Sequence, residues 1–114
     1  MALLTPVLRF PSVERAVITG PEGLVIEAGG LSGPDPEFLA AEIAAAVRAL
    51  SSFSTELDEP LQRFVIGLVE RELLAVVQDG IYVGAVVRKG PERRQVGATL
   101  VQVAAAAARE FGGA

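Results

Sequence analysis

Short apolar runs separated by turn residues divide the chain into two groups of strands, each followed by a helix. Residues 14–19 and 24–28 are apolar runs on either side of Gly20-Pro21-Glu22-Gly23. Proline favours the second position of a tight turn, and glycine tolerates the positive φ that later positions require. The pattern therefore predicts a β-hairpin over residues 14–28.

The next segment has the spacing of an amphipathic helix. Asp35 stands where a helix N-cap is expected, with Pro36 after it and Glu37 in the first turn. The helix is predicted to run to about residue 50 and to bury one apolar stripe. That stripe consists of Leu39, Ile43, Ala46, Val47 and Leu50. Residues 51–60 are more polar and are predicted to form a loop.

Three further strands are predicted at residues 62–69, 73–78 and 81–88. The sequence Glu70-Arg71-Glu72 separates the first two, and Asp79-Gly80 is typical of a two-residue hairpin turn. A closing helix is predicted over residues 91–111. Its buried stripe would be Val96, Leu100, Val103 and Ala107. Residues 1–12 predict only one helical turn, with Thr5 as its cap and Pro6 as its first helical residue.

Both faces of the predicted strands carry apolar side chains. Phe64 and Ile66 face one way and Val65 the other, and Val83 opposes Tyr82 in the same manner. A sheet that is apolar on both faces has to be covered on both. We therefore expect the 114 residues to form one α+β domain, a three-layer α-β-α arrangement around a five-stranded antiparallel sheet. The element order would be β-β-α-β-β-β-α.

Composition excludes several classes of function. The chain has no cysteine and no histidine, which removes thiolate chemistry, the commonest general base and the commonest metal ligand. Net charge is −4, and no basic stretch exceeds two residues, so nucleic-acid binding is not expected. We also expect no membrane insertion and a cytoplasmic location, because no uninterrupted apolar run has the length of a span and the first residues lack a basic region.

Two stretches could contact phosphate, and each has a structural alternative. The turn at residues 20–23 could cradle an anion, but it joins two strands rather than opening a helix, which favours a plain turn. Arg93 and Arg94 could supply an arginine finger or form the solvated first turn of the last helix. The single lysine, Lys89, lacks the glycine pattern of a P-loop.

The acidic residues predict turns more strongly than catalysis. Glu70 and Glu72 could act as a carboxylate pair, or they could lie hydrated at a hairpin turn. Asp58, Glu59 and Asp79 are interpreted as turn and loop residues, because their spacing is not that of a metal site. We therefore expect no catalytic residue, no cofactor and no bound metal.

Two long stretches resemble the roadblock / dynein light-chain family, in particular its bacterial MglB-like branch. They are FPSVERAVITGPEGLVIEAG and LQRFVIGLVERELLAVVQDGIYVGAVV, with an alanine-rich helix between them and a helix after them. The resemblance covers residues 7–110 and rests on P-x-V-x-x-A-V-I, a glycine turn, and D-G before the last strand. It implies a profilin-like fold with strand order 2-1-5-4-3, here with a truncated first helix.

The resemblance also implies a homodimer in which the third strand pairs with its twin and the middle helices meet. The implied interface residues are Ala41, Ala44, Ala45, Arg48, Arg63, Phe64, Val65, Ile66, Gly67, Leu68 and Val69. The apolar character of the third strand agrees with an interface there. A long apolar edge strand left bare is a template for aggregation, and a two-fold contact pairs it with its own copy.

The function implied by the resemblance is that of a non-enzymatic regulator or scaffold of a small Ras-like GTPase. Its partner would be that GTPase or another roadblock protein, contacted through Glu37, Ala40 and Arg48. Two other hypotheses stay open. The chain could be a structural dimerisation module that leaves GTPase activity unchanged, or a ligand sensor or enzyme with a carboxylate-lined pocket under residues 51–60.

Overall fold

A five-stranded antiparallel sheet lies between one helix on one face and two helices on the other. The computed structural model describes residues 2–112. The elements are α1 (Thr5–Leu8), β1 (Val13–Thr19), β2 (Glu27–Gly29), α2 (Pro36–Glu56), β3 (Arg63–Gly67), β4 (Arg71–Gln78), β5 (Ile81–Arg88) and α3 (Arg93–Phe111). The strand order is β2-β1-β5-β4-β3. The predicted α+β class and strand order are confirmed.

Apolar side chains fill both sides of the sheet. On one side, α1 and α3 cover residues such as Ile18 and Val83. The predicted stripe of α3 is confirmed, since Val96, Leu100, Val103 and Ala107 are all buried there. On the other side, α2 packs Leu39 and Ile43 against Val17 and Tyr82. The remaining members of the predicted α2 stripe, Ala46, Val47 and Leu50, are half-buried.

The first residues form a single helical turn that seals the α3 side of the sheet. Leu4 and Val7 are fully buried, and Leu3, Leu8 and Phe10 pack against the same core. The predicted cap at Thr5 is wrong. The N-cap is Leu4, which already has helical dihedral angles and caps without a side-chain hydrogen bond. Thr5 lies inside the turn because its N–H bonds back to the carbonyl of Ala2, at 3.3 Å.

The first hairpin has the predicted turn but a shorter second strand. The Gly23 N–H donates to the Gly20 carbonyl at 3.0 Å, and Gly23 has a φ of 75°. The hydroxyl of Thr19 then donates to the Leu24 carbonyl at 2.6 Å, which occupies that backbone acceptor with a side chain. The predicted strand at residues 24–28 is shorter in the structure, because β2 starts only at Glu27, and Leu24 is 70% exposed.

The middle helix is longer than its apolar pattern predicts. Asp35 is the N-cap, and its carboxylate accepts a hydrogen bond from the Glu37 N–H at 2.8 Å. The predicted loop over residues 51–60 is wrong, because α2 continues to Glu56. The Ser51 hydroxyl donates to the Arg48 carbonyl at 2.7 Å, so a serine that favours turns is accommodated inside the helix.

The last three strands form a meander. The Leu68 N–H donates to the Arg71 carbonyl at 2.8 Å, so Leu68 and Val69 belong to the turn after β3, while Arg71 and Glu72 open β4. This corrects the predicted strand over residues 62–69. The Asp79-Gly80 hairpin is confirmed, with φ values of 50° and 79° that match a type I′ turn. The last helix begins at Arg93, two residues after the predicted start, and ends at Phe111 as predicted.

Candidate protein-interaction surfaces

The edge strand β3 presents apolar side chains and backbone hydrogen-bonding groups at the rim of the sheet. It pairs with β4 on its inner side. Val65 is 47% exposed and Ile66 is 41% exposed. Phe64 is half-buried because it packs against the α2 core. An exposed, apolar edge of this kind is a ready template for pairing with another strand.

The outer face of α2 carries a second apolar stripe. It consists of Phe38, Ala41, Ala45, Ala49 and Phe53, which recur every three or four residues and are all exposed. The two phenylalanines, 59% and 65% exposed, flank small alanines that allow a second helix to approach closely. The stripe lies opposite the buried side of the helix.

Residues 36–57 are long enough to cross a membrane as a helix. Their mean hydropathy of 1.2 is also high enough for a candidate span. The helix contains Glu37, Glu42 and Arg48, so it agrees with the prediction that no uninterrupted apolar run has the length of a span. These scattered charged residues interrupt the apolar run without lowering its mean hydropathy below that of a candidate span. Core helices of globular domains pass the same test, and the inner side of α2 packs against the sheet.

The predicted interface residues of α2 divide between the outer and inner sides of the helix. Ala41, Ala45 and Arg48 are exposed, as a contact surface requires. The predictions for Ala40 and Ala44 are wrong, because their exposures are 0% and 1%. Both lie on the side of the helix that packs against the chain's own sheet and first hairpin.

The other residues predicted to contact a partner are accessible. Glu37 is exposed in the first turn of α2. Arg48 is also exposed, and its Nη1 donates to the Pro21 carbonyl at 3.2 Å. This hydrogen bond ties the turn of the first hairpin to the middle of α2. Glu37 and Arg48 therefore place one negative and one positive charge beside the apolar stripe.

An ion cluster that the sequence did not predict joins three strands at one end of the sheet. The Glu14 carboxylate accepts hydrogen bonds from Arg71 Nε at 2.7 Å and from Arg88 Nε at 3.1 Å. The Arg71 hydrogen bond lowers the pKa of Glu14 and outweighs burial, which acts in the opposite direction; Arg88 lowers it further. The same contact raises the pKa of Arg71. The cluster ties β1, β5 and β4 together.

The residues considered for phosphate or acid chemistry occupy structural positions. Arg93 Nε lies 2.6 Å from a carboxylate oxygen of Glu72, whose side chain is 13% exposed. Glu72 is therefore paired with an arginine and is not hydrated at a turn, whereas Glu70 is exposed in the turn before β4. Arg94 is exposed in the first turn of α3.

A cleft of about 550 Å³ does lie beside residues 51–62, as the ligand-binding hypothesis requires. Its walls include Val47, Ser54, Pro60 and Gln78, and Asp79 is the one carboxylate among its lining residues. A carboxylate-lined pocket is thus not formed there. Within residues 2–112, no three acidic side chains gather into a group that could hold a metal ion.

The chain forms an antiparallel sheet with an open β3 edge, one long helix on one face and two helices on the other. These features define an α+β domain of the roadblock architecture. The model of the Roadblock/LC7 domain matches residues 2–89, and the chain belongs to this family. The resemblance inferred from the sequence is thereby confirmed. No curated protein matches the sequence.

Solved structures agree with this assignment at the level of the fold. A Roadblock/LC7 domain from Streptomyces avermitilis superposes with a TM-score of 0.85 at 15% identity, over 96% of this chain and 94% of that one. MglB from Myxococcus xanthus gives 0.83 at 12% identity, over 96% and 91%. A structure described as MglB with tetrameric arrangement gives 0.85 at 19% identity, over 94% and 83%.

Proposed function

We propose that this chain is a homodimeric, non-enzymatic regulator or scaffold of a small Ras-like GTPase in the cytoplasm. One observation carries the proposal: a Roadblock/LC7 domain presents both an apolar edge strand with an unpaired outer side and a helix with an exposed apolar face. Similarity of fold to MglB proteins supports the same reading.

The dimer would form by antiparallel pairing of β3 with β3 of a second copy. This pairing would satisfy the edge N–H and C=O groups and extend the sheet across the two-fold axis. Phe64 and Ile66 would approach their twins on the α2 side. Ala41 and Ala45 would let the two α2 helices pack closely, which would cover part of the apolar stripe. A solved MglB structure is described as having a tetrameric arrangement, so that neighbour self-associates.

The GTPase would bind the paired α2 helices. Exposed Phe38 at one end of the stripe supplies an apolar anchor, and Glu37 and Arg48 supply charges at its border. A surface of this kind changes the partner by binding one switch conformation more tightly than the other. Any change in the hydrolysis rate would come from ordering the catalytic groups of the GTPase itself.

Light scattering tests the proposal on the purified protein, alone and with a Ras-like GTPase encoded in the same genome. We expect a dimer that gains mass with the GTPase bound to a GTP analogue and not with the GDP form. The Phe38→Ser variant should remain a dimer and lose this gain, while Glu110→Arg, in the last turn of α3, should retain it. A dimer that ignores both nucleotide states, with an unchanged hydrolysis rate, would refute GTPase regulation and favour a module for assembly alone.

A further inference from the structure

A groove runs along the α3 face of the sheet, between α3 and the edge strand β3. Its volume is about 660 Å³. Val65 and Val76 contribute to its floor, and Gly97, Ala98 and Val101 of α3 form its wall. The groove arises because α3 packs on β4 and β5, which leaves β3 without a helix above it on this side. Val65 and Val101 are 47% and 41% exposed.

Arginines are the charged residues that line this groove. Arg63 lies on the β3 side, and Arg93 and Arg94 come from the first turn of α3. Arg93 is paired with Glu72. Within residues 2–112, Arg63 and Arg94 form no ion pair, and both are exposed. The groove therefore carries positive charge, whereas the whole chain has a net charge of −4.

The spacing of the layers favours a helix as the occupant. Helices pack with axes about 8–10 Å apart, and neighbouring strands lie about 4.8 Å apart. A helix beside α3 would therefore lie roughly two strands further out, over β3 and the sheet edge. It would complete the layer that α1 and α3 begin.

We propose that this groove binds an acidic amphipathic helix of a partner protein. The apolar side of that helix would cover Val65, Ala98 and Val101. Its carboxylates would accept charge-assisted hydrogen bonds from Arg63 and Arg94. The groove lies on the face opposite α2, and it borders the β3 edge that pairs in the proposed dimer. In that dimer the bound helix would run beside the seam between the two copies. The groove is separate from the proposed GTPase surface on α2.

A designed peptide tests this inference on the intact protein. The probe is a fluorescein-labelled helix of about five turns, with leucine on one face and glutamate on the rest. One control peptide replaces glutamate by lysine, and another replaces leucine by serine. Fluorescence anisotropy should show that the Glu-Leu peptide binds at least about tenfold more tightly than either control, a difference of about 1.4 kcal/mol.

Charge reversal in the groove should reverse this preference. The double variant Arg63→Glu/Arg94→Glu should prefer the lysine peptide. The control Arg9→Glu/Arg109→Glu, which carries the same total charge away from the groove, should keep the preference of the unmodified protein. Equal binding of both peptides to the unmodified protein, or an unreversed preference in the groove variant, would overturn the inference.

Amide chemical shifts of the unmodified protein locate the peptide without any substitution. The largest changes are expected at Val65, Gly97 and Val101. Changes confined to α2 would overturn the inference. So would loss of peptide binding as protein concentration rises, because a second copy of the chain would then be the occupant of the groove.

Discussion

Gly84, in the middle of β5, lies directly against the side chain of Ile43 from α2. A Cβ atom at Gly84 would overlap with Cδ1 of Ile43. Gly84 pairs with Val17 of β1 on one side and Ala75 of β4 on the other, so it occupies the centre of the sheet. The missing side chain lets α2 settle onto the central strands and buries Ile43 completely.

Replacing Gly84 by alanine should destabilise the fold. The added methyl group would push Ile43 out of its position, and overpacking of this kind costs about 1–3 kcal/mol. Urea denaturation measures the loss. Ile43→Val removes Cδ1, so the double variant should be more stable than the sum of the two single effects predicts, by about 1 kcal/mol. Strict additivity would show that the two residues do not compete for space.

Gly97 provides a matched control for that substitution. It lies inside α3, and a Cβ atom there would meet no atom within 4 Å. Alanine has a higher helix propensity than glycine, so Gly97→Ala should stabilise the protein by up to about 1 kcal/mol. The same denaturation experiment should therefore give shifts of opposite sign for the two glycines.

Replacing Glu14 by glutamine should weaken the end of the sheet at which β1, β5 and β4 meet. Its carboxylate accepts hydrogen bonds from both Arg71 and Arg88, and hydrogen bonds to charged groups are worth about 1.5–3 kcal/mol each at most. We expect a loss of about 1–3 kcal/mol in the free energy of unfolding. Glu22→Gln, in the exposed first turn, should leave stability unchanged.

The same carboxylate should make stability depend on acid pH. The folded-state pKa of Glu14 lies below its ordinary value of 4.5, so the unfolded chain takes up this proton first as pH falls. The stabilisation is complete above the ordinary value and is lost as pH falls through the lower, folded-state pKa. Thermal unfolding from neutral to strongly acid pH should show a steeper loss for the unmodified protein than for Glu14→Gln. Parallel profiles would contradict this role.

A charge in the edge strand should prevent dimerisation. Ile66→Lys would place an ammonium group beside its own copy in the proposed strand pair, where it would be poorly solvated. Sedimentation equilibrium at micromolar concentration should show a monomer, and circular dichroism should show an intact fold. Leu24→Lys, at an exposed position of the first hairpin, should remain dimeric. A dimeric Ile66→Lys protein would place the interface elsewhere.

Removing the N-cap of α2 should lower stability without affecting the sheet. Asp35 accepts a hydrogen bond from the Glu37 N–H, and loss of such a cap costs about 0.5–2 kcal/mol. Asp35→Ala should therefore lower the urea midpoint, while Asp35→Ser should retain most of the stability. Equal losses for both would show that the charge, rather than the cap, matters at this position.

Local chemistry explains what could be predicted from the sequence. The Asp79-Gly80 hairpin was predictable because few residues accept positive φ at two successive positions. The buried stripe of α3 was predictable because its apolar residues follow a single helical period over several turns. The strand order is implied only by the family resemblance, since strand spacing alone does not say which strands are neighbours.

The remaining features depend on contacts between distant parts of the chain. Glu14 lies 57 positions from Arg71, and no local signal pairs them. The end of α2 is not predictable from the sequence, because serine and threonine favour turns by themselves, whereas a helix already begun can extend through them. Ala40 and Ala44 differ from Ala41 and Ala45 only in the side of the helix on which they lie.

The position of β1 has a consequence for how the chain folds as it is synthesised. β1 is made early, yet its neighbour β5 ends only at Arg88. The β4–β5 hairpin is local and can form quickly, whereas β1 has to wait for it before the sheet can close. One side of the apolar strand β1 therefore stays unpaired until β5 has been made. Shielding by a chaperone, or by the ribosome surface, should raise the yield of folded protein more than faster elongation would.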